Sequence, residues 1–470
     1  MLGTFRFGNR LSESNLPVIK PVTGAVLKAE ILAHASLIAT RLLPTAAGIL
    51  LFASKICAQD AVQSEVSTPD YSPISPREIE ILQSGSPPSA SPAATGSGTL
   101  TQTPRRFQYQ FSVSERTVYD DNINISSFNR RSDLYFAIEP ALSLGFGTPD
   151  GINSASLTYH PSFSLFLDNS QDDSVQHIIR LQGTHSFGRL LLFLSQDLQI
   201  LDGSDLSTLS DQTGHNANID VGGRTRHNIY RTTLNGSYQL TGKLFLSDAA
   251  NLAVDDYPGP QIGSKNASGN LFLNYQYREK LVVGVGGTGG YNTVDSASPD
   301  QVYEQANVRV GYNVTAKTSL SATVGLEFRQ FENNSRGIYI SPVYTLSASY
   351  EPFGGTSINV AGSRHISNSA SLAGQDYAET QINCSVHQRF LRRTSLGISA
   401  GYENADYFST INGLSATRSD NYYFIEPSLD VNITRFWTAG AYYLRRQNTS
   451  SLNFFGFYDN QIGFRTVLTF

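Results

Sequence analysis

The sequence predicts an all-β fold: a closed transmembrane barrel of antiparallel up-and-down strands. Three observations predict it. From Phe107 onward, apolar and polar residues alternate with period two over long stretches, the pattern of strands with one apolar face. Tight turns and long polar loops alternate between those stretches. The composition is polar yet weakly charged, with 16% charged residues, 11% aromatics, 39 glycines and a mean hydropathy of −0.21. Ser, Thr, Asn, Gln and Gly supply that polarity, which is a β composition.

The chain opens differently. Residues 42–54, "LLPTAAGILLFAS", form its most apolar run, preceded by Arg41. The run is too short for a membrane-spanning helix. With its basic flank and the following "KICAQD", it reads as a secretory signal cleaved after Ala58. The stretch ahead of it is long for a signal lead, which fits a translational start downstream of Met1, the only Met in the chain. Lys55 and Ile56 fit a lipid-anchor site at Cys57 badly, and without Cys57 the remaining Cys384 has no intrachain partner. Loss of 1–58 removes six basic and two acidic residues and leaves 28 against 37, a net of −9. That balance, with no basic stripe, excludes a nucleic-acid binder. Residues 59–104, rich in Pro, Ser, Gly and Thr, read as a flexible periplasmic linker. Residues 105–470 are the barrel.

Within the barrel the unit is a hairpin. Tight turns at "TPDG" (148–151), "FGR" (187–189), "TGK" (241–243), "REK" (278–280), "TAK" (315–317), "FGG" (353–355), "LRR" (391–393) and "TRF" (434–436) alternate with long loops. The loops include "DNSQDD", "DGSDLSTLSDQTGH", "NTVDSASPD", "SRHISNSASLAGQD" (363–376) and "ENADYFSTINGLSATRSD" (403–420). Lys243, Lys280 and Lys317 recur at intervals of 37 residues, and Thr318, Thr356 and Thr394 at 38. A propeller blade of similar period needs four strands, whereas this period holds two strands of about 11–14 residues, a length that suits a tilted membrane strand. Counting from Phe107 gives about 18 strands, with 16 as the neighbouring even number.

The strand faces sort accordingly. Apolar runs such as Ala306, Val308, Val310, Tyr312, Val314 and Leu320, Ala322, Val324, Leu326, Phe328 would face lipid. Tyr275, Tyr277, Tyr312, Phe328, Phe390, Tyr402, Tyr422, Tyr423, Phe436 and Trp437 would form interfacial girdles. Charged residues on the opposite faces are the candidates for lining the lumen: Arg180, Arg231, Arg278, Arg309, Glu327, Arg329, Glu379, Arg389, Glu403, Glu426, Asp430 and Arg465. Such charges tune what passes, or brace the wall as Arg–carboxylate pairs. The closing stretch "QIGFRTVLTF" is the strand that pairs with the first. Ile462, Phe464, Leu468 and Phe470 would face lipid, with Gln461 and Arg465 inside. Phe464, Leu468 and Phe470 are the expected assembly signal.

Three segments resemble the opening of the β-barrel porin 2 family: "FSVSERTVYDDNINIS" (111–126), "RRSDLYFAIEPALSLGFG" (130–147) and "LTYHPSFSLF" (157–166). The matching features are Tyr-Asp-Asp-Asn at 119–122, Glu-Pro at 139–140 and Tyr-x-Pro at 159–161. The resemblance implies a Gram-negative outer-membrane protein, of a kind in part linked to exopolysaccharide. It implies no catalytic residues.

Other chemistry is thin. Asn383, Ser385 and His387 share one face of one strand, but alternate residues lie ~7 Å apart, outside nucleophile–base reach. Asp120–Asp121–Asn122 and Asp172–Asp173 offer oxygen ligands for Ca²⁺ but lack EF-hand spacing. No phosphate loop, zinc spacing or dinucleotide fingerprint occurs. The expectation is a non-enzymatic, porin-like passage for polar solutes or exopolysaccharide, with no cofactor or metal. Its partners would be outer-membrane lipid and the assembly machinery. The alternatives are an adhesive barrel that binds through its loops and, ranked below it, a barrel enzyme acting on lipid or polysaccharide.

Overall fold

Period-two alternation makes strands, and the computed structural model describes residues 107–147, 153–202, 219–295, 298–332 and 337–470. The signal and linker regions and the turn at 148–151 lie outside the described residues. Eighteen strands are formed. They are β1 (Phe107–Asp120), β2 (Asp133–Gly147), β3 (Ser154–Phe166), β4 (Ser174–Phe187), β5 (Leu190–Leu201) and β6 (His227–Gln239). Next come β7 (Leu244–Asp256), β8 (Ser264–Arg278), β9 (Leu281–Val294), β10 (Gln301–Thr315), β11 (Thr318–Phe331) and β12 (Tyr339–Tyr350). The last are β13 (Thr356–Asn368), β14 (Gln375–Phe390), β15 (Thr394–Ser409), β16 (Ser419–Asn432), β17 (Trp437–Ser450) and β18 (Phe457–Thr469).

Each strand pairs antiparallel with its sequence neighbours, and β18 pairs with β1 from Ser112–Thr469 to Asp120–Gln461, which closes the sheet. Strands of 12 to 16 residues, at ~3.3 Å per residue and a tilt of ~45°, reach about 28–37 Å along the axis, enough for a hydrocarbon core. Val308, Val324, Leu271, Ile462 and Phe464 lie exposed on the outer wall. A wall so apolar, with no free sheet edge around its closed end, belongs in a bilayer. The protein is an outer-membrane barrel. By the rule of that class its tight turns face the periplasm and its long loops the outside.

Local chemistry explains the irregularities. The β2–β3 ladder breaks between Ile138–Phe163 and Leu142–Tyr159, where Pro140 and Pro161 have no N–H to give. Tyr442 lies flat over Gly463, where any Cβ would collide with its ring. One girdle assignment is corrected: Tyr422 is fully buried on the inner face, because it adjoins the outward Tyr423 and successive residues alternate. An outward carboxylate also stands out: Glu115 is exposed on the outer face between Phe111 and Tyr119, beside Ile138 of β2.

The second departure is larger. Much of 363–376 and 403–420, read above as loop, is strand: β13 runs to Asn368 and β15 to Ser409. These strand tops do not continue the wall. The β12–β13 ladder stops at Tyr344–Arg364, although β12 begins at Tyr339 and β13 ends at Asn368. Above that point β13–β15 lean into the barrel.

Candidate functional site

The inner face is the candidate site, and its regions differ. Along β4–β6, and low on β16 and β18, charged side chains stand in the lumen with substantial exposure. Arg180 donates from Nε to Asp197 at 2.6 Å, with its side chain 42% exposed. Arg465 grips Asp430 through two bonds of 2.9 and 2.6 Å and is 36% exposed. Arg231 reaches within 4.0 Å of Asp255 and is 56% exposed. Glu426 and Arg389 share this face.

From β10 round to β2, the charges of the outer half are buried. Glu327 accepts from Arg329 Nε at 2.7 Å and from Gln305 at 2.7 Å. Arg329 also reaches Gln301 at 2.7 Å and lies over the Tyr303 ring. Glu403 is buried, and Glu379 lies 3.3 Å from His365. Deeper in, Arg309 lies along the wall, donating to Asn274 at 2.6 Å and to Ser247, over the Phe272 ring. Arg116 of β1 donates to Glu139 of β2 at 2.7 and 3.0 Å, both nearly free of solvent. Alternation thus puts eleven of the twelve sequence candidates on the inner face. Arg278 departs: a register shift at Gln276/Arg278 leaves it at the turn end of β8, beside Tyr277.

The burial comes from the inward-leaning strands. Their far face packs on the inner wall of β9–β12. Gln301 donates to Asp376 at 3.1 Å, Asn292 to Asn368 at 3.4 Å, and Arg329 to the Ile366 carbonyl at 3.5 Å. Phe408 stacks on Tyr339 with centroids 4.1 Å apart. Their near face meets the opposite wall in one apolar cluster. Ala405 and Tyr407 of β15 join Val118, Tyr135, Tyr422, Phe424, Leu444 and Phe457. The outer half of the lumen is therefore packed like a protein core.

A loop segment completes the closure. Ile219 joins that cluster, and Asp220 is buried beside it. The Asp220 carboxylate accepts from Ser369 Oγ (2.7 Å), the Ala370 N–H (2.5 Å), Ser371 Oγ (3.0 Å) and Tyr407 Oη (2.9 Å). Arg418 Nη1 lies 3.5 Å away and donates to the Asp220 carbonyl at 3.1 Å. Arg418 also pairs with Asp420 at 2.6 Å and lies over the rings of Tyr407 and Phe455. The loop after β5 is thereby tied to the β13–β14 and β15–β16 connections across the mouth.

Asp220 and Arg418 escaped the sequence reading. The one local signal is "NIDV" (218–221), two apolar residues flanking an acid inside a polar loop. Asn383, Ser385 and His387 occupy successive inner positions of β14, and no hydrogen bond joins them among the described residues. At the seam, Phe111 and Phe470 exchange backbone hydrogen bonds of 3.3 and 2.8 Å and stack their rings, while Phe464 is exposed outside. Leu468 follows it on the outer face of β18, opposite Val113.

No protein-family model matches the chain, and no curated protein matches it. Solved structures do. The chain is similar to Pseudomonas aeruginosa OccK3 (OpdO), at 13% identity and a TM-score of 0.41, covering 77% of this chain and 96% of that one. It is similar to Acinetobacter baumannii OccAB4, at 10% identity and 0.42, covering 78% and 99%. The outer membrane protein OpdK of Pseudomonas aeruginosa matches at 11% identity and 0.39, covering 77% and 99%.

Proposed function

We propose that this protein is a porin-like channel for polar solutes that rests closed on its outer side. The carrying observation is the contrast between the lumen and its mouth. Exposed Arg180 and Arg231 on β4 and β6, and Arg465 near the turn end of β18, line a wet lumen, while β13–β15 and the Asp220 segment fill its outer mouth. A lumen bearing charges of both signs suits polar passengers, and an 18-stranded wall is wide enough for an aqueous path once cleared. Opening requires the inward strands to move as a unit, with Asp220 as the fastening.

Purified protein in planar bilayers tests this. Wild type should open rarely, and Asp220→Ala should raise open probability by about tenfold or more, the effect of losing ~1.4 kcal/mol of closing preference. Silence of wild type, Asp220→Ala and a form lacking residues 59–104 would remove the channel reading. Surface polysaccharide is the alternative passenger, supported only by the resemblance over 111–166, and neighbouring glycosyltransferase and export genes would favour it. An adhesive role is less well supported, because the described loops bind one another.

A further inference from the structure

We propose a Ca²⁺ site at the loop-bearing rim of the seam, formed by Asp120 and Asp121 of the first strand's end and Asp459 and Gln461 of the last strand. The register sets these groups together: Asp120 lies directly opposite Gln461, and Asp459 is the next inner residue on β18. One carboxylate oxygen from each of Asp120, Asp121 and Asp459 falls within 4.8 Å of the others. Two oxygens that share a Ca²⁺ at 2.3–2.6 Å stand at most about 5.2 Å apart, so one ion can serve all three.

The second observation is the Gln461 amide, which sits between two of the acids. Gln461 is fully buried, and its side-chain oxygen has no partner. Its amide is held at the centre, with Nε2 3.0 Å from Asp120 Oδ2 and 3.3 Å from Asp459 Oδ2. A half-turn of that amide exchanges nitrogen for oxygen and supplies a fourth ligand. Asp459 Oδ1 is likewise buried and unpartnered. Such orphaned buried oxygens are costly unless something binds them.

Charge points the same way. Three carboxylates face one guanidinium, Arg446, which pairs with Asp459 at 2.5 Å. Arg131 is paired with Asp172 at 2.8 Å, and Arg130 lies over Tyr458. Three carboxylates against one guanidinium leave a formal excess of two negative charges, which a divalent ion would offset. An all-oxygen donor set selects Ca²⁺ over transition metals. Asp120 also borders a small cleft lined by Ser164, Ser174, Gln176, Asp202 and Arg224. Ca²⁺ there would clamp the pair of strands that closes the barrel.

The test is titration of the EGTA-treated, folded full-length barrel with CaCl₂ by calorimetry, paired with thermal unfolding. One equivalent should bind, with a Kd on the order of 10⁻⁴–10⁻³ M, and Tm should rise. Asp120→Asn and Gln461→Met, which leave the Arg446–Asp459 pair intact, should each weaken binding by about tenfold or more. Asp459→Asn is the stronger variant but strands Arg446, so folding is checked first by heat-modifiable gel migration. Absence of heat and of a Tm shift in wild type overturns the site. So does binding of unchanged strength in Asp120→Asn and Gln461→Met, which would place the ion elsewhere.

Discussion

Arg116 and Glu139 illustrate what a single buried pair does in this wall. Each is nearly inaccessible, and Glu139 also accepts from Ser162 at 3.3 Å. Removing one partner strands the other's charge, at a cost of about 3–5 kcal/mol. Removing both should cost much less. We expect Arg116→Met to lower unfolding free energy by that amount in lipid vesicles, and Arg116→Met with Glu139→Leu to recover most of it. Fluorescence of Trp437, the only Trp in the chain, reports the transition. A double variant no more stable than Arg116→Met would show that the loss does not come from a stranded Glu139 charge. At this scale the sequence was legible as to face. Period two assigned Arg180, Arg309 and Glu327 inward and failed at Arg278, where a register shift intervenes. Partners were not legible, because Asp120 and Asp459 are separated by nearly the whole barrel and meet only through closure.

Among elements, the β13–β14 hairpin carries the proposed closure. The turn at 391–393, which joins β14 to β15, and the pairing of those two strands followed from the repeat. The hairpin's inward lean did not. Ile366 and Ala405 sit in stretches whose Ser, Asn and Gly content reads as loop, and only packing against strands far along the chain selects the strand conformation. If the lean closes the channel, fixing it should hold the channel shut. Asn292→Cys with Asn368→Cys, in a background lacking Cys57 and Cys384, brings two thiols to positions whose amides now touch at 3.4 Å. A short bis(methanethiosulfonate) cross-linker, which forms a disulfide with each thiol and releases sulfinate, should suppress conductance even in the Asp220→Ala variant, and reduction should restore it. Conductance unaffected by the bridge would show that solutes take another path.

For the molecule as a whole, the bilayer is part of the energetics. Hairpin repeat, strand number and the sorting of faces were all read from alternation, because lipid outside and water inside impose the same rule on every strand. Glu115 breaks the rule from within the outer band. A carboxylate there raises the cost of insertion, so Glu115→Leu should stabilise the barrel in vesicles by about 1–2 kcal/mol. An unchanged or lowered unfolding midpoint would indicate that Glu115 meets a partner other than lipid.

The parting between β12 and β13 has a further consequence. The ladder that ends at Tyr344–Arg364 already fixes a register for its own extension, in which Val343 would face His365 and Ser341 would face Ser367. Swinging the hairpin outward breaks no existing rung of the sheet. It trades side-chain contacts in the lumen for backbone rungs in the wall, with Pro342 limiting how many form. Closed and open forms would then be two ways of completing the same cylinder, one with an overlapping flap and one with a finished rim, differing by a few contacts rather than by unfolding. A zipper of that kind is a natural source of all-or-none switching, since each rung made positions the next.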